Sequence, residues 1–292
     1  MQIETFKVFC DLTETESFTK AARISGITQS AVSQQVSALE KQFHCLLIER
    51  SKKNFRLTRE GTLLYETSKN IIQTFETLQT RLLESKDTIS GTVRVGTIYS
   101  IGLHDLPPYL KRFLKAFPTV KVDVEYQRAN QVYDDILGNA VDLGLVAYPT
   151  ADSRLEVIEL RRDPMVFICH PKHPLARQKN LKLESLQDQR FIAFEPDIPT
   201  RKALDLLLLD RKITVNTTME FDNIETVKRA VEIEAGVSVV PASTVTQEVE
   251  KRTLVALKFS NVEIERPIAL IYKKNKVLSQ AMKQFIKTLQ ED

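Results

Sequence analysis

Between Thr62 and Ser90 the chain runs for 29 residues without a glycine or a proline. Continuous helix over that stretch would span about 43 Å at 1.5 Å per residue, which is long for a helix held inside one core. Such a rod divides the chain, so the sixty or so residues before it and the two hundred or so after it need separate cores. Within the rod, Leu64, Ile71, Phe75, Leu78 and Leu82 fall on alternating a and d positions of one heptad frame, with Ser68 as its single weak layer. The seam predicts a paired helix over residues 61–90 and hence a dimer. A helix buried along one side of its own domain would carry the same stripe.

The segment before the rod, residues 1–60, reads as short helices joined by tight turns. Ile3, Phe6, Val8, Phe9 and Leu12 make a first apolar stripe, and Phe18, Ala21, Ala22 and Ile24 a second. Ser17 stands where an N-cap accepts a backbone N–H, and Gly26 stands where the second helix must stop. A third helix follows, with Thr28 as its cap and Ala31, Val32, Val36 and Leu39 facing inward. Its exposed amino-terminal turns carry small and amide side chains, which is the helix-turn-helix plan. Gln bonds adenine in a bidentate manner and Ser bonds either base type, so Gln29, Ser30, Ser33 and Gln34 are the expected base contacts. A plainly solvated helix face is the alternative. Arg50, Lys52, Lys53, Arg56 and Arg59 then form a basic run without an acidic residue. Of this wing-like segment, Arg50, Lys53, Arg56 and Thr58 are assigned to phosphates, which position a protein without reading sequence; a solvated loop would look the same.

From Gly91 onward the texture changes to β-branched runs alternating with amphipathic helices: TVRVGTI, a helix from Leu106, VKVDVEY, a helix from Gln131, DLGLVAY, then MVFICHP, FIAFEP, VNTTMEF, VSVVP, TLVALKF and PIALIYKK. Such alternation predicts an α/β fold with helices covering a parallel or mixed sheet. Two subdomains with a cleft between them suit the length, the first over about 91–162 and 267–292 and the second over about 163–266. The net charge of +3 is too small to identify a polyanion partner by itself. Three cysteines, at 10, 45 and 169, make no even disulfide set, and no apolar run is long enough for a membrane helix; both fit a cytoplasmic protein.

The chain resembles the LysR-type transcriptional regulators over nearly its whole length. The likeness is most specific in FKVFCDLTETESFTKAARISGITQSAVSQQVSALEKQF, followed by LLIER and FRLTREG, and weaker in VRVGTIYSIGLHDLPPYLKRF, AVDLGLV, FEPDIPTR and AGVSVVPAS. The resemblance implies a winged helix-turn-helix, a linker helix, and a regulatory part of two Rossmann-like, periplasmic-binding-protein-like subdomains. It further implies double-stranded DNA, a small-molecule effector and a dimer of dimers, with RNA polymerase as a further partner. His44 stands where the family commonly has Gly, Leu47-Ile48 replaces Leu-Phe, and Ile224 replaces a polar residue, which predicts a bulkier or less polar effector on that side.

Helix starts offer free N–H groups and a partial positive charge to small anions. Ser100, just after the first strand, and Thr200, before a helix expected from Arg201, match positions where the family contacts its ligand; plain N-capping is the competing role. Tyr99, Asn130, Ile198 and Asn223 are expected cleft walls, since ligands of α/β sheets sit beyond strand carboxyl ends. Cys169 beside His170 raises redox or metal chemistry, yet the regulatory half offers no second cysteine, and the histidines lack zinc-site spacing. Neither GxSxG, GxxxxGK[ST] nor HExxH occurs. A regulator without catalytic activity, cofactor or metal is the expectation. The rivals are an enzyme whose helical head only dimerises it and a structural DNA binder without effector.

Overall fold

The computed structural model describes residues 2–49, 55–84 and 89–291. The chain forms two compact units, one of residues 1–88 and 138–140 and one of residues 89–137 and 141–292. Among the described residues no helix is long and apolar enough to cross a membrane.

The first unit contains α1 (Ile3–Thr15), α2 (Phe18–Ile24), α3 (Gln29–Phe43) and α4 (Arg59–Glu84). Ser17 accepts from Lys20 N at 3.4 Å and Thr28 from Ala31 N at 3.2 Å, so both expected caps form. Gly26 turns the chain between α2 and α3 at a φ of +65°, a region other residues enter at a cost. Phe6, Phe9, Leu12, Ala21, Ala22, Val32, Val36, Leu39 and Leu47 pack into one core. Ile24, expected on the inward stripe of α2, is instead 63% exposed, because it lies in the last turn beside the Gly26 bend. His44 ends α3 in the left-handed conformation at a φ of +52°, which explains why glycine suits this position. Leu47 enters the core and Ile48 pairs antiparallel with Leu57, closing the base of a wing whose residues 50–54 lie outside the described residues.

Helix α4 starts earlier than the glycine-free run implied. Thr58 caps it by accepting from Gly61 N at 2.9 Å, and Gly61 lies in its first turn, where a Cβ would collide with the Leu47 carbonyl oxygen. Close backbone approach therefore explains the glycine that the sequence made look like a boundary.

The second unit follows the order β1 (Gly91–Ile98), α5 (Leu106–Ala116), β2 (Val120–Gln127), α6 (Ala129–Leu137), β3 (Leu143–Ala147), β4 (Leu155–Cys169), β5 (Arg190–Phe194), α7 (Pro199–Asp210), β6 (Asn216–Phe221), α8 (Ile224–Glu232), β7 (Ser238–Pro241), α9 (Thr246–Glu250), β8 (Val255–Leu257), β9 (Glu265–Lys273) and α10 (Gln280–Gln290). Strands run β2-β1-β3-β9-β4-β7, with β8 also on β4 and β5 paired to β6. β1 is parallel to β2 and β3, whereas β9 is antiparallel to both β3 and β4. The fold is thus a mixed α/β one, as expected.

β4 and β9 are the crossing strands. Leu155–Pro164 pairs with β9, and beyond it Met165–Ile168 pairs with β7, so one strand leaves the core of Val93, Val95, Phe113 and Phe285 and enters that of Phe167, Phe191 and Val239. The sequence pattern placed this strand only from Met165; its first half was hidden by charged residues and by Pro164, which strands tolerate where ladders change. Between β7 and β8 a 3-10 turn at Ala242–Val245 leads into the short α9.

Candidate nucleic-acid interface and inter-lobe cleft

Helix α3 buries Val32, Val36 and Leu39 and leaves Gln29, Ser30, Ser33 and Gln34 exposed, all in its first two turns. The cap fixes that end of the helix: Thr28 Oγ1 also lies 2.9 Å from Ser30 Oγ. The four side chains form one solvated face with amide and hydroxyl groups of both donor and acceptor type. Arg56 is exposed on the wing, and its carbonyl accepts from Glu49 N at 2.9 Å. Arg50 and Lys53 lie outside the described residues. Thr58 has a different task from the one expected. Its hydroxyl donates to Leu46 O at 2.6 Å while capping α4, so its one proton is already given.

The stripe on α4 divides. Leu64 packs into the core of its own unit and Ser68 is fully buried, whereas Ile71, Phe75 and Leu78 are 40, 36 and 52% exposed. The Leu82 side chain lies outside the described residues. A polar tie fixes α4 against α1: Lys69 Nζ lies 2.9 Å from Glu14, and Tyr65 donates to the same carboxylate at 3.0 Å. Burial pushes the neighbouring Cys10 thiol up to about 12, which makes it a structural cysteine.

In the second unit a cleft of about 390 Å³ opens between the two lobes. Ser100, Thr200, Tyr99, Asn130, Ile198 and Asn223 all line it. They reach it by different routes. Ser100 leads into a π turn at Ile101–Asp105 and caps nothing; its Oγ accepts from Arg266 Nη1 at 2.8 Å. Thr200 is the second residue of α7, which begins at Pro199 and not at Arg201, and no side chain caps that helix. Asn223 does cap, accepting from Thr226 N at 3.1 Å at the start of α8. Asn130 sits in the first turn of α6, and Tyr99 rests 6.0 Å from the Tyr126 ring. Ile224 lines the cleft while 99% of its surface is buried in the second lobe's core, so it is a wall built for packing.

Two arginines escaped the sequence reading. Arg266, only 1% exposed, joins Ser100 to Asp163 at 2.9 Å on the facing crossing strand, and stands 3.9 Å from Asp105. The signal was present: Arg266 is a charge set at the head of the apolar run PIALIY. Burial and the nearby Asp163 hold the Asp105 carboxyl above the usual range, against Arg161 at 3.2 Å and Arg266. Arg128, at the mouth, reaches from the first lobe to Glu195, Asp197 and Asp222 of the second at 2.6, 3.3 and 3.5 Å. Away from the cleft, His104 of the π turn meets Glu225 of α8 at 2.7 Å, so a second polar contact joins the lobes. Cys169 is fully buried, and burial pushes its thiol up to about 11, leaving little of the thiolate that redox chemistry needs.

Comparison with known proteins covers both units. The family of bacterial regulatory helix-turn-helix proteins, lysR family, matches residues 3–62, and the LysR substrate binding domain matches residues 86–292. The chain is 27% identical over 272 residues to the HTH-type transcriptional regulator CysL of Bacillus subtilis, across 93% of this chain and 91% of CysL. A full-length OxyR variant from Pseudomonas aeruginosa shares the fold with a TM-score of 0.77 at 21% identity, over 100% of this chain and 94% of that one. Full-length CbnR, solved with its target DNA, gives a TM-score of 0.73 at 18% identity over 99% of both chains.

Proposed function

This chain belongs to the LysR family of bacterial regulators, and from that premise we propose that it is a DNA-binding transcriptional regulator controlled by a small anionic effector. The observation that carries the proposal is that one chain joins a capped, outward-facing α3 to a cleft that gathers all six expected effector positions. Gln29, Ser30, Ser33 and Gln34 read base edges in the major groove, and Arg56, with Arg50 and Lys53, holds phosphates. Exposed Ile71, Phe75 and Leu78 pair α4 with a second copy, and dimers assemble into tetramers on paired half-sites. The effector acts by preferring one arrangement of that assembly; equal affinity for two arrangements would shift nothing. The protein works in the cytoplasm beside RNA polymerase and is not an enzyme, in keeping with relatives such as CysL that are transcriptional regulators.

The experiment is footprinting of the double variant Gln29→Ala, Ser33→Ala on the promoter that the wild-type protein protects. Protection is lost and ligand-induced thermal stabilisation stays. Unchanged footprints would reject α3 as the reading head.

A further inference from the structure

A buried group of charges at the start of α8 is out of balance. Lys228 meets two carboxylates, Glu225 at 2.9 Å and Glu248 at 3.0 Å. The neighbouring Arg229 is matched by Glu232 at 2.5 Å and so lends nothing. One negative charge is left over, and where Lys228 is 1% exposed and Glu248 10% such an excess is unfavourable. His104, in the π turn of the first lobe, can supply what is missing. Its Nε2 lies 2.7 Å from Glu225 Oε1, the same oxygen that Lys228 meets. With both ring nitrogens protonated the four groups balance, two cations against two carboxylates. Without that proton the bridge is a neutral imidazole giving one hydrogen bond to a site already negative.

The other charges on elements packed against the π turn are engaged elsewhere. Asp105, the next residue, belongs to a group with Arg161, Arg266 and Asp163 that balances by itself. The 3-10 turn at Ala242–Val245 gives Lys228 the Thr244 carbonyl and carries no ionisable side chain. β3 carries none either, and β1 carries Arg94, which pairs with Asp142 at 3.8 Å. On α5, Arg112 covers the Tyr109 ring together with Arg161, at 5.3 and 5.2 Å, while Lys111 and Lys115 are exposed. Position makes the balance matter. Ser100 leads into the π turn and Asn223 caps α8, and both line the cleft, so the bridge ties the two elements that carry facing walls. Arg128 ties the lobes at the mouth with a charge that does not titrate near neutrality, whereas an imidazole does. We propose that His104 and Glu225 form a pH-sensitive latch between the two lobes, closed by an ion pair in mild acid and slackened as the imidazole loses its proton. The bonds from Lys228 and His104 hold the Glu225 carboxyl below its usual range, so it stays ionised through mild acid. Histidine ordinarily gives up its proton near ~6.5, so the ion pair is present below that value and is lost as pH rises through it. The latch belongs to the second unit alone and stands whatever ligand the cleft takes.

The test is amide hydrogen exchange of the full-length protein, read by mass spectrometry between about pH 5.5 and about pH 7.5, with every rate corrected for the intrinsic effect of pH. Protection of residues 101–106 and 224–232 falls about threefold across that range, the scale of a part-exposed ion pair, while the β4–β9 ladder keeps its protection. His104→Gln, which keeps a neutral donor, removes the fall and holds both segments at the wild-type level of the neutral end. Glu225→Gln removes the fall from the other side, so either variant suffices should the other not fold. Equal wild-type protection at both ends of the range overturns the latch. A fall that persists in His104→Gln assigns the titration to another group and overturns it as well. A fall shared by the β4–β9 ladder marks a change in the stability of the whole unit and overturns a local latch.

Discussion

Lys228 offers the most direct measure of how much the second lobe depends on buried charge. Its ammonium group, 1% exposed, donates to Thr244 O at 2.9 Å and meets Glu225 at 2.9 Å and Glu248 at 3.0 Å, which uses all three protons. Lys228→Met keeps the length of the side chain and removes the charge. Glu225 retains His104 and is 37% exposed, so it stays solvated and paired. Glu248 is 10% exposed, its Oε2 already lacks a hydrogen-bond partner among the described residues, and it loses its ion pair with Lys228. Removing one member of a buried pair costs about 3–5 kcal/mol, and the surviving Glu225 contact places this loss near ~3 kcal/mol. For a unit of this size each kcal/mol moves the melting temperature by about 2–4 °C, so a fall of roughly 6–12 °C is expected in calorimetry. Adding Glu248→Met should recover most of it, since removing both partners leaves no charge stranded. The pH dependence adds a sign. Burial opposes ionisation of Glu225, but the bonds from Lys228 and His104 outweigh it and hold the carboxyl below its usual range. Stability from that pairing is fully present above the unfolded glutamate value of about 4.3 and is lost as pH falls through the lowered folded value. The gap between wild type and variant therefore narrows in acid. A loss under ~1 kcal/mol, or a gap independent of pH, would show that the site is wetter than its burial implies.

Further outcomes follow from the first unit. His44→Gly relieves the left-handed residue that ends α3 and raises the stability of the head by about 1 kcal/mol in denaturant unfolding. Gly61→Ala does the reverse, because the new methyl group meets the Leu47 carbonyl; the head should melt earlier and lose promoter affinity together. Phe75→Glu puts a charge on the exposed stripe of α4, so sedimentation should show smaller species while the circular dichroism of the head is kept. Arg56→Gln lowers the slope of log affinity against log salt by about 1 and weakens all DNA sequences alike, if Arg56 contacts one phosphate.

Much of this protein is written in local pattern. Ser17, Thr28 and Gly26 set the ends of α2 and α3 through contacts with residues no more than a few positions away, so their roles follow from chain order. Strand and helix periods predicted the mixed α/β fold, and the rule that ligands gather beyond strand ends picked Tyr99, Asn130, Ile198 and Asn223, which line one cleft with Ser100 and Thr200, the two positions taken from family resemblance. Where packing against distant residues decides, the pattern was silent or misleading. Thr58 looked like a phosphate contact until Leu46 and Gly61 took both sides of its hydroxyl. One apolar stripe on α4 became two, because Leu64 finds the core of its own unit while Phe75 does not.

Arg266 marks the boundary most clearly. It sits opposite Asp163 in the β4–β9 ladder, 103 residues away in sequence, and bonds Ser100 at a separation of 166. Periodicity fixes which face of a strand a side chain takes, but not which strand will lie beside it. Only the packing of two crossing strands between two cores brings one guanidinium to the cleft and to Asp163 together, and so decides what charge lies at that wall.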